Sequence, residues 1–331
     1  TDYSSTLTNA AFSNGVTIVG GTITVPAGVT SFTVSVPTTS DSIDEANETY
    51  TLSVGGVNGT GTITDDDAAP TIQSVTSDTQ LEGTNLVHTV TLTNASSSSV
   101  SFAYTQGGGT ATGGGVDYTT PPSFSNGVTL VAGNLIVPAG VTSFTITTPT
   151  TLDTIDEGVN ETYNLSVGGV AATGTITDDD NAPSISTVSS NSAVEASNIV
   201  HTVTLSNASS VATTYALSFT DVSATGGGTD YSSTLTNAAF SNGVTIAAGV
   251  ITVPVGVTSF TVSVPTTADT LAEANETYTL TVGTASGTGT ITDDDGAPTI
   301  STVSSNSAVE ASAIVHTVTL SNASSIATTY A

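Results

Sequence analysis

The heptapeptide Gly-Thr-Ile-Thr-Asp-Asp-Asp occurs three times in this chain of 331 residues, ending at Asp67, Asp180 and Asp295. A recurrence every ~115 residues is the signature of tandem units, each large enough to bury its own core. Longer strings repeat as well: TDYSSTLTNAAFSNGVTI at 1–18 returns unchanged at 229–246, and STVSSNSAVEAS at 186–197 returns at 301–312. The pattern predicts four segments. Residues 1–67 form a repeat lacking its first strands, 68–180 and 181–295 are complete repeats, and 296–331 supply the first strands of a further one. The chain reads as a slice of a longer periodic polymer. The alternative is a subunit whose partial ends complete each other between copies.

Each unit is written in the two-residue period of strands. In the middle copy the segments LVHTVTL, VSFAYTQ, NLIVPAG, VTSFTITTPT, ETYNLSV and ATGTIT alternate β-branched or apolar residues with small polar ones. Asn14-Gly15, Asn126-Gly127 and Asn242-Gly243 mark tight turns that tolerate positive φ. No helical period competes. The expectation is an all-β chain of tandem immunoglobulin-like antiparallel β-sandwiches, about seven strands each and placed end to end. His88, His201 and His316 share strand parity with apolar neighbours, so they are expected as core or rim residues.

Charge narrows the function. The chain has 28 Asp and Glu and no Lys or Arg, for a formal net charge of −28. Nucleic-acid binding and attachment to anionic membranes both depend on basic side chains, so both are excluded. Hydrophobic residues make up 37 %, too many for a disordered acidic tail. No apolar run is long enough to insert into a membrane, and residues 1–25 carry no export signal. With no Cys there is no disulfide framework to hold the units. Catalysis has neither a Cys nor a Lys nucleophile nor an Arg clamp, and a rod of identical active sites makes little sense. The chain is read as not an enzyme.

The acids are not scattered. Of the 28, only Asp78 and Asp221 fall outside recurring positions. The first repeat carries Asp2, Asp41, Asp44, Glu45, Glu48, Asp65, Asp66 and Asp67. The second carries Glu82, Asp117, Asp153, Asp156, Glu157, Glu161, Asp178, Asp179 and Asp180. The third carries Glu195, Asp230, Asp269, Glu273, Glu276, Asp293, Asp294 and Asp295, and Glu310 opens the last. Adjacent carboxylates repel by about 1 kcal/mol per close pair even in water. No basic side chain offsets this, so an external cation is implied. Strand ends carry all four acidic segments, and alternate loops of a sandwich share one pole. A flexible all-oxygen ligand set of this size suits Ca²⁺ better than Mg²⁺, with two or more ions per junction.

The order of a Glu near the start, SFAYTQGGGTATGGGVDY, VTSFTI, the acidic stretch DTIDEGVNETYNLSV and the ending GTITDDD resembles the Calx-β motif of sodium-calcium exchangers and bacterial surface proteins. The resemblance covers the whole chain. It implies a seven-stranded sandwich binding several Ca²⁺ at its distal loops. The ligand positions it implies in the middle copy are Glu82, Asp117, Asp153, Glu157, Asp178, Asp179 and Asp180. In the third copy they are Glu195, Asp230, Asp269, Glu273, Asp293, Asp294 and Asp295. The corresponding candidates elsewhere are Asp2, Asp41, Glu45, Asp65, Asp66, Asp67, Asp156 and Glu310. Ala272 stands where the other copies have Asp44 and Asp156, so that carboxylate is not needed at every site. Glu48, Glu161 and Glu276 open a strand and are expected to orient the loop. The function expected is a structural segment of a secreted, bacterial, cell-surface fibre or adhesin stalk, stiffened by Ca²⁺ at its junctions. Its partners are then neighbouring repeats. The competing expectations are a module that grips a glycan or cell-surface ligand, and a self-assembling filament or sheath.

Overall fold

In the computed structural model, which describes residues 2–331, the chain is built of β-strands, short turns and two single 3₁₀ turns, Asn9–Ala11 and Asn237–Ala239. Contacts divide it into two compact units: residues 1–152 with 161–177, and residues 153–160 with 178–331. Among the described residues no helix is long and apolar enough to cross a membrane.

The first unit holds a complete β-sandwich. One sheet runs, in spatial order, Thr129–Val131, Asn134–Val137, Val100–Gly109, Glu161–Val167, Val170–Thr177 and Asp78–Leu81. The facing sheet runs Ser123–Phe124, Ser143–Thr148, Leu86–Leu92 and Ile72–Val75. The opening strand serves both: Ile72–Val75 pairs antiparallel with Leu86–Leu92, and after a break Asp78–Leu81 pairs parallel with Val170–Thr177. Alternation explains the core. Leu86, His88, Val90 and Leu92 point inward from one sheet, and Tyr163, Leu165 and Val167 point inward from the other. Burying each large apolar side chain contributes about 1.5–3 kcal/mol. The second unit repeats the plan, with Ile185–Val188, Asn198–Leu205 and Ser259–Pro265 facing a six-stranded sheet that includes Glu276–Val282 and Ala285–Thr292.

Two features of the repeated motif are core devices. His88 Nδ1–H donates to the Thr76 carbonyl (2.7 Å) at the break in the opening strand. A carbonyl can only accept, so Nε2 is the acceptor for the Tyr163 hydroxyl at 2.8 Å. The ring thus ties the two sheets together, and burial holds its pKa below the usual value. His201 does the same with Ser189 and Tyr278. The Tyr ring then lies over the glycine of Gly-Thr-Ile-Thr on the neighbouring strand: Tyr163 pairs with Gly174 and Tyr278 with Gly289. A Cβ at either glycine would overlap the ring.

The partial repeats are simpler. Residues 2–67 form the hairpins Thr17–Val19/Thr22–Thr24 and Glu48–Val54/Val57–Ile63, and residues 298–331 contribute Ile300–Val303 paired with Val318–Leu320.

Candidate metal centre

The three aspartates that end each repeat have different tasks. The first is an organiser. Asp65 Oδ2 accepts the Glu45 N–H (3.1 Å) and Oδ1 the Asp67 N–H (3.4 Å). Asp293 takes Glu273 N–H and Asp295 N–H in the same way, at 3.1 and 3.3 Å, and Asp178 takes Glu157 N–H and Asp180 N–H, at 3.2 and 3.1 Å. The exit of the last strand is thereby clamped to the acidic loop before the Glu-Thr-Tyr strand. That loop is shaped by its own leading acid: Asp41, Asp153 and Asp269 each accept the N–H two residues on, an Asx turn. The second aspartate, Asp66, Asp179 or Asp294, is exposed. The third is drawn inward: Oδ2 of Asp180 and of Asp295 is buried without a hydrogen-bond partner.

In the third repeat, carboxylate oxygens of Glu195, Asp294 and Asp295 lie within 4.8 Å of one another. Glu195 is 8 % exposed, and the Asp269 N–H reaches its Oε2 (3.3 Å). Burial raises the pKa of Glu195, and Asp269, Asp293 and Asp294 raise it further. Asp295 is raised by burial, then by Asp293, Asp294 and Asp269. A second group stands beside the first. Asp230, whose Oδ2 accepts Thr225 N–H (2.6 Å), meets Glu276 and Glu273. Burial pushes the Glu276 carboxyl up to about 7, with Asp230 and Glu273 adding to it.

The first repeat shows the same second group: Asp2, Glu45 and Glu48 offer oxygens within 4.8 Å. A hydrogen bond from Glu48 to Asp2 raises the Glu48 pKa before any other cause. Glu45 is raised by burial, then Asp41, Asp2 and Asp65. A cavity is lined by these residues together with Asp65, Asp66 and Asp67. Asp67 is raised by burial, then by Asp66 and Asp65. In the middle copy Glu82 is buried with its N–H on Thr177 O (3.1 Å), and Asp117 Oδ2 accepts Thr112 N–H (2.5 Å). In the second unit, Asp180 is raised by burial, then by Asp179, Asp178, Asp153 and Asp156.

Three candidates gain detail. Glu48 and Glu276, expected to orient the loop from a strand start, also stand among the clustered acids. Their only sequence signal was recurrence before Thr-Tyr. Asp156 is 6 % exposed, and its Oδ2 accepts the Ser209 hydroxyl at 2.7 Å, so this oxygen already has a partner outside the acids. Glu310 is exposed in a turn and joins no cluster among the described residues.

An all-carboxylate donor set with buried, unpartnered oxygens is a poor protein interior and a good cradle for a hard cation. The fit rests on the orphaned Oδ2 of Asp180 and Asp295, which need a positive charge in place of a hydrogen.

The Calx-beta domain family matches residues 2–65, 65–174 and 178–306. Among solved structures the chain is similar to CBD12 from CALX1.2, at 16 % identity over 65 % of this chain and 79 % of that one, with a TM-score of 0.26. The calcium binding domain CBD12 of CALX1.1 is similar at 14 % identity, with the same coverage and a TM-score of 0.27. The I-band fragment I67-I69 from titin is similar at 10 % identity over 71 % of this chain and 69 % of that one, with a TM-score of 0.21. No curated protein matches the chain.

Proposed function

The chain belongs to the Calx-beta domain family, and from that premise we propose that its repeats bind Ca²⁺ at their acidic poles and form a load-bearing stretch of a secreted or cell-surface fibre. One observation carries the reading. Carboxylates of Glu195, Asp294 and Asp295 come together from the opening turn and the last strand's exit, and Asp295 presents a buried oxygen with no hydrogen-bond partner among the described residues. Glu195, Asp294 and Asp295 form one group of ligands; Asp230 and Glu273 act on Glu276 beside it, at the places where Asp2, Glu45 and Glu48 cluster in the first repeat.

A bound Ca²⁺ neutralises these carboxylates and joins the strand exit to the acidic loop and the opening turn. Binding to the folded pole alone stabilises it by RT ln(1 + [L]/Kd), about 2.7 kcal/mol at a hundredfold excess over Kd. Extracellular modules bind in the range of about 0.1–1 mM, so such a fibre is firm outside a cell and loosens under chelation. The repeats act as binding and spacing elements rather than as enzymes.

Thermal unfolding of the full chain in Ca²⁺ and in EDTA tests this, beside a variant carrying Asp293→Asn, Asp294→Asn and Asp295→Asn. The wild type gains several degrees with Ca²⁺, and the variant loses the part contributed by the third repeat. A melting curve indifferent to Ca²⁺ sinks the reading.

A further inference from the structure

A second kind of acid lies within the acidic loop, one residue before Glu45 and Glu157, and it makes a different contact. In the first unit, Ile43–Asp44 of one repeat pairs in parallel with Ala95–Ser96 of the next. The Ser97 N–H donates to the Asp44 carbonyl (2.9 Å), and the Ser96 hydroxyl donates to Asp44 Oδ2 (2.7 Å). Ser96 is itself held from behind, its carbonyl accepting the Gly140 N–H (2.9 Å) of the Pro-Ala-Gly turn. In the second unit the arrangement recurs. Ile155–Asp156 pairs with Ala208–Ser209, Ser210 N–H donates to Asp156 O (2.8 Å), Ser209 Oγ–H to Asp156 Oδ2 (2.7 Å), and Gly256 N–H to Ser209 O (2.9 Å). Asp156 and Ser209 are buried at 6 % and 5 % exposure. The third occurrence keeps the backbone pairing of Leu271–Ala272 with Ala323–Ser324, but Ala272 has no carboxylate, and the Ser324 hydroxyl keeps the carbonyl contact alone (2.9 Å), which Ser96 and Ser209 make as well at 3.3 and 3.0 Å.

The partner segments come from different repeats, so these pairings are docking contacts. The residue before each Ala-Ser edge holds the linker as well: the side-chain amides of Asn94, Asn207 and Asn322 donate to the carbonyls of Ala68, Asn181 and Gly296, the first linker residues (2.8, 2.9 and 2.9 Å). Exposed backbone edges pair with any strand that reaches them. What selects here is the serine hydroxyl set against a carboxylate, a charge-assisted bond stronger than a neutral one.

We propose that the Ala-Ser-Ser edge of each repeat is a docking surface for the Ile-Asp segment of the preceding repeat. Asp44 and Asp156 are the positioning residues of this latch and not metal ligands. The latch works without metal. It is graded by sequence: carboxylate latches stand at Asp44 and Asp156, and a weaker one stands at Ala272. The latch stands on its own geometry and does not depend on the calcium reading.

The chain has no cysteine, so Val57→Cys and Val131→Cys, both at exposed positions, give one spin-label pair across the first junction. Pulsed electron-electron resonance on the full chain in EDTA measures the spread of distances. Domains held by small interfaces move by default, so removing the latch broadens the distribution by roughly twofold in Ser96→Ala and in Asp44→Ala. Asp44→Asn, which keeps an oxygen for the serine hydroxyl, stays narrow. Unchanged circular dichroism shows that the variants fold. Calcium titration separates the two readings: Asp44→Ala retains wild-type affinity, while Asp65→Asn loses about tenfold or more. An unchanged distance spread in both alanine variants overturns the latch. An affinity loss in Asp44→Ala equal to that of Asp65→Asn overturns it too, by making Asp44 a ligand. Absence of any Ca²⁺ binding with a broadened Ser96→Ala leaves the latch standing and removes the calcium reading alone.

Discussion

Residues 1–18 and 229–246 are the same eighteen amino acids in two surroundings. Over residues 3–18 and 231–246 the local structure is the same. Thr8 and Thr236 precede identical 3₁₀ turns at φ −112°, ψ 171°, and Val16 and Val244 are both 2 % exposed. Their burial otherwise diverges. Tyr231 is fully buried and stacks on Tyr278 (4.2 Å between centroids), while Tyr3, stacked on Tyr50 at 4.6 Å, stays partly exposed. Ile251, Phe260, Leu280 and Val282 are sealed in the third repeat, where Ile23, Phe32, Leu52 and Val54 are half-buried. The difference is the opposing sheet strand Asn198–Leu205, whose Ile199, His201 and Val203 cover that face. Turn geometry is local, whereas burial comes from a strand distant in sequence.

The largest break in this comparison comes from one truncation made twice. Leu280→Ala removes a fully buried side chain and should cost about 2–5 kcal/mol. Leu52→Ala, at the equivalent place in a half-buried strand, should cost about 1 kcal/mol or less. Urea unfolding followed by hydrogen exchange on each strand measures both. Equal losses would show that the two copies share the same packing.

Metal affinity should separate the copies next. The third repeat has Glu195 as a buried carboxylate from its opening turn, and residues 2–67 contain no counterpart. Glu195→Gln should weaken one class of Ca²⁺ sites about tenfold by calorimetry, a loss of about 1.4 kcal/mol, and leave the sites of the first repeat unchanged. A uniform weakening of every site would break the assignment.

These comparisons show how far residues alone reach. Repeats, strands, fold class and the acid positions were legible because period-two patterning and recurrence are properties of the string. The division of labour was not. Asp293 and Asp295 are two residues apart in a run of like residues, yet one clamps two N–H groups and the other has a buried orphan oxygen. Asp156 looked like a ligand because it sits between Asp153 and Glu157, and only the distant Ser209 shows its other partner. Glu276 looked peripheral because its neighbour Asp230 lies far away in sequence.

Acidity sharpens the comparison with a smaller effect. The Glu276 carboxyl titrates higher when folded, about 7 against an ordinary 4.5, so the folded protein holds a proton that the unfolded one has lost. Its stability contribution is complete below pH 4.5 and vanishes as pH rises through about 7. In EDTA the third repeat should therefore melt lower at pH 7.5 than at pH 6.5. His88 and His201, whose pKa values are depressed by burial, oppose this only as pH falls below 6.5. Saturating Ca²⁺ should remove or reverse the slope, because the ion requires the deprotonated carboxylates. Tm measured across pH with and without Ca²⁺ checks the sign, and a metal-free protein that gains stability toward pH 7.5 would contradict it.

The smallest effect should be the same in both copies. Asn9 Oδ1 accepts the Ile18 N–H at 2.7 Å, and Asn237 Oδ1 accepts the Ile246 N–H at 2.8 Å. Both bonds close the same loop over the 3₁₀ turn, and both lie in exposed surroundings. Removing such a bond costs about 1 kcal/mol, since water takes over the freed donor. Asn9→Ala and Asn237→Ala should therefore raise the exchange rate of the Ile18 and Ile246 amides by a similar factor, despite the unequal cores beneath them. A far larger effect at Ile246 than at Ile18 would mean that the loop takes its order from the sealed core and not from its own sequence, which would erase the distinction between local and distant causes drawn from these two copies.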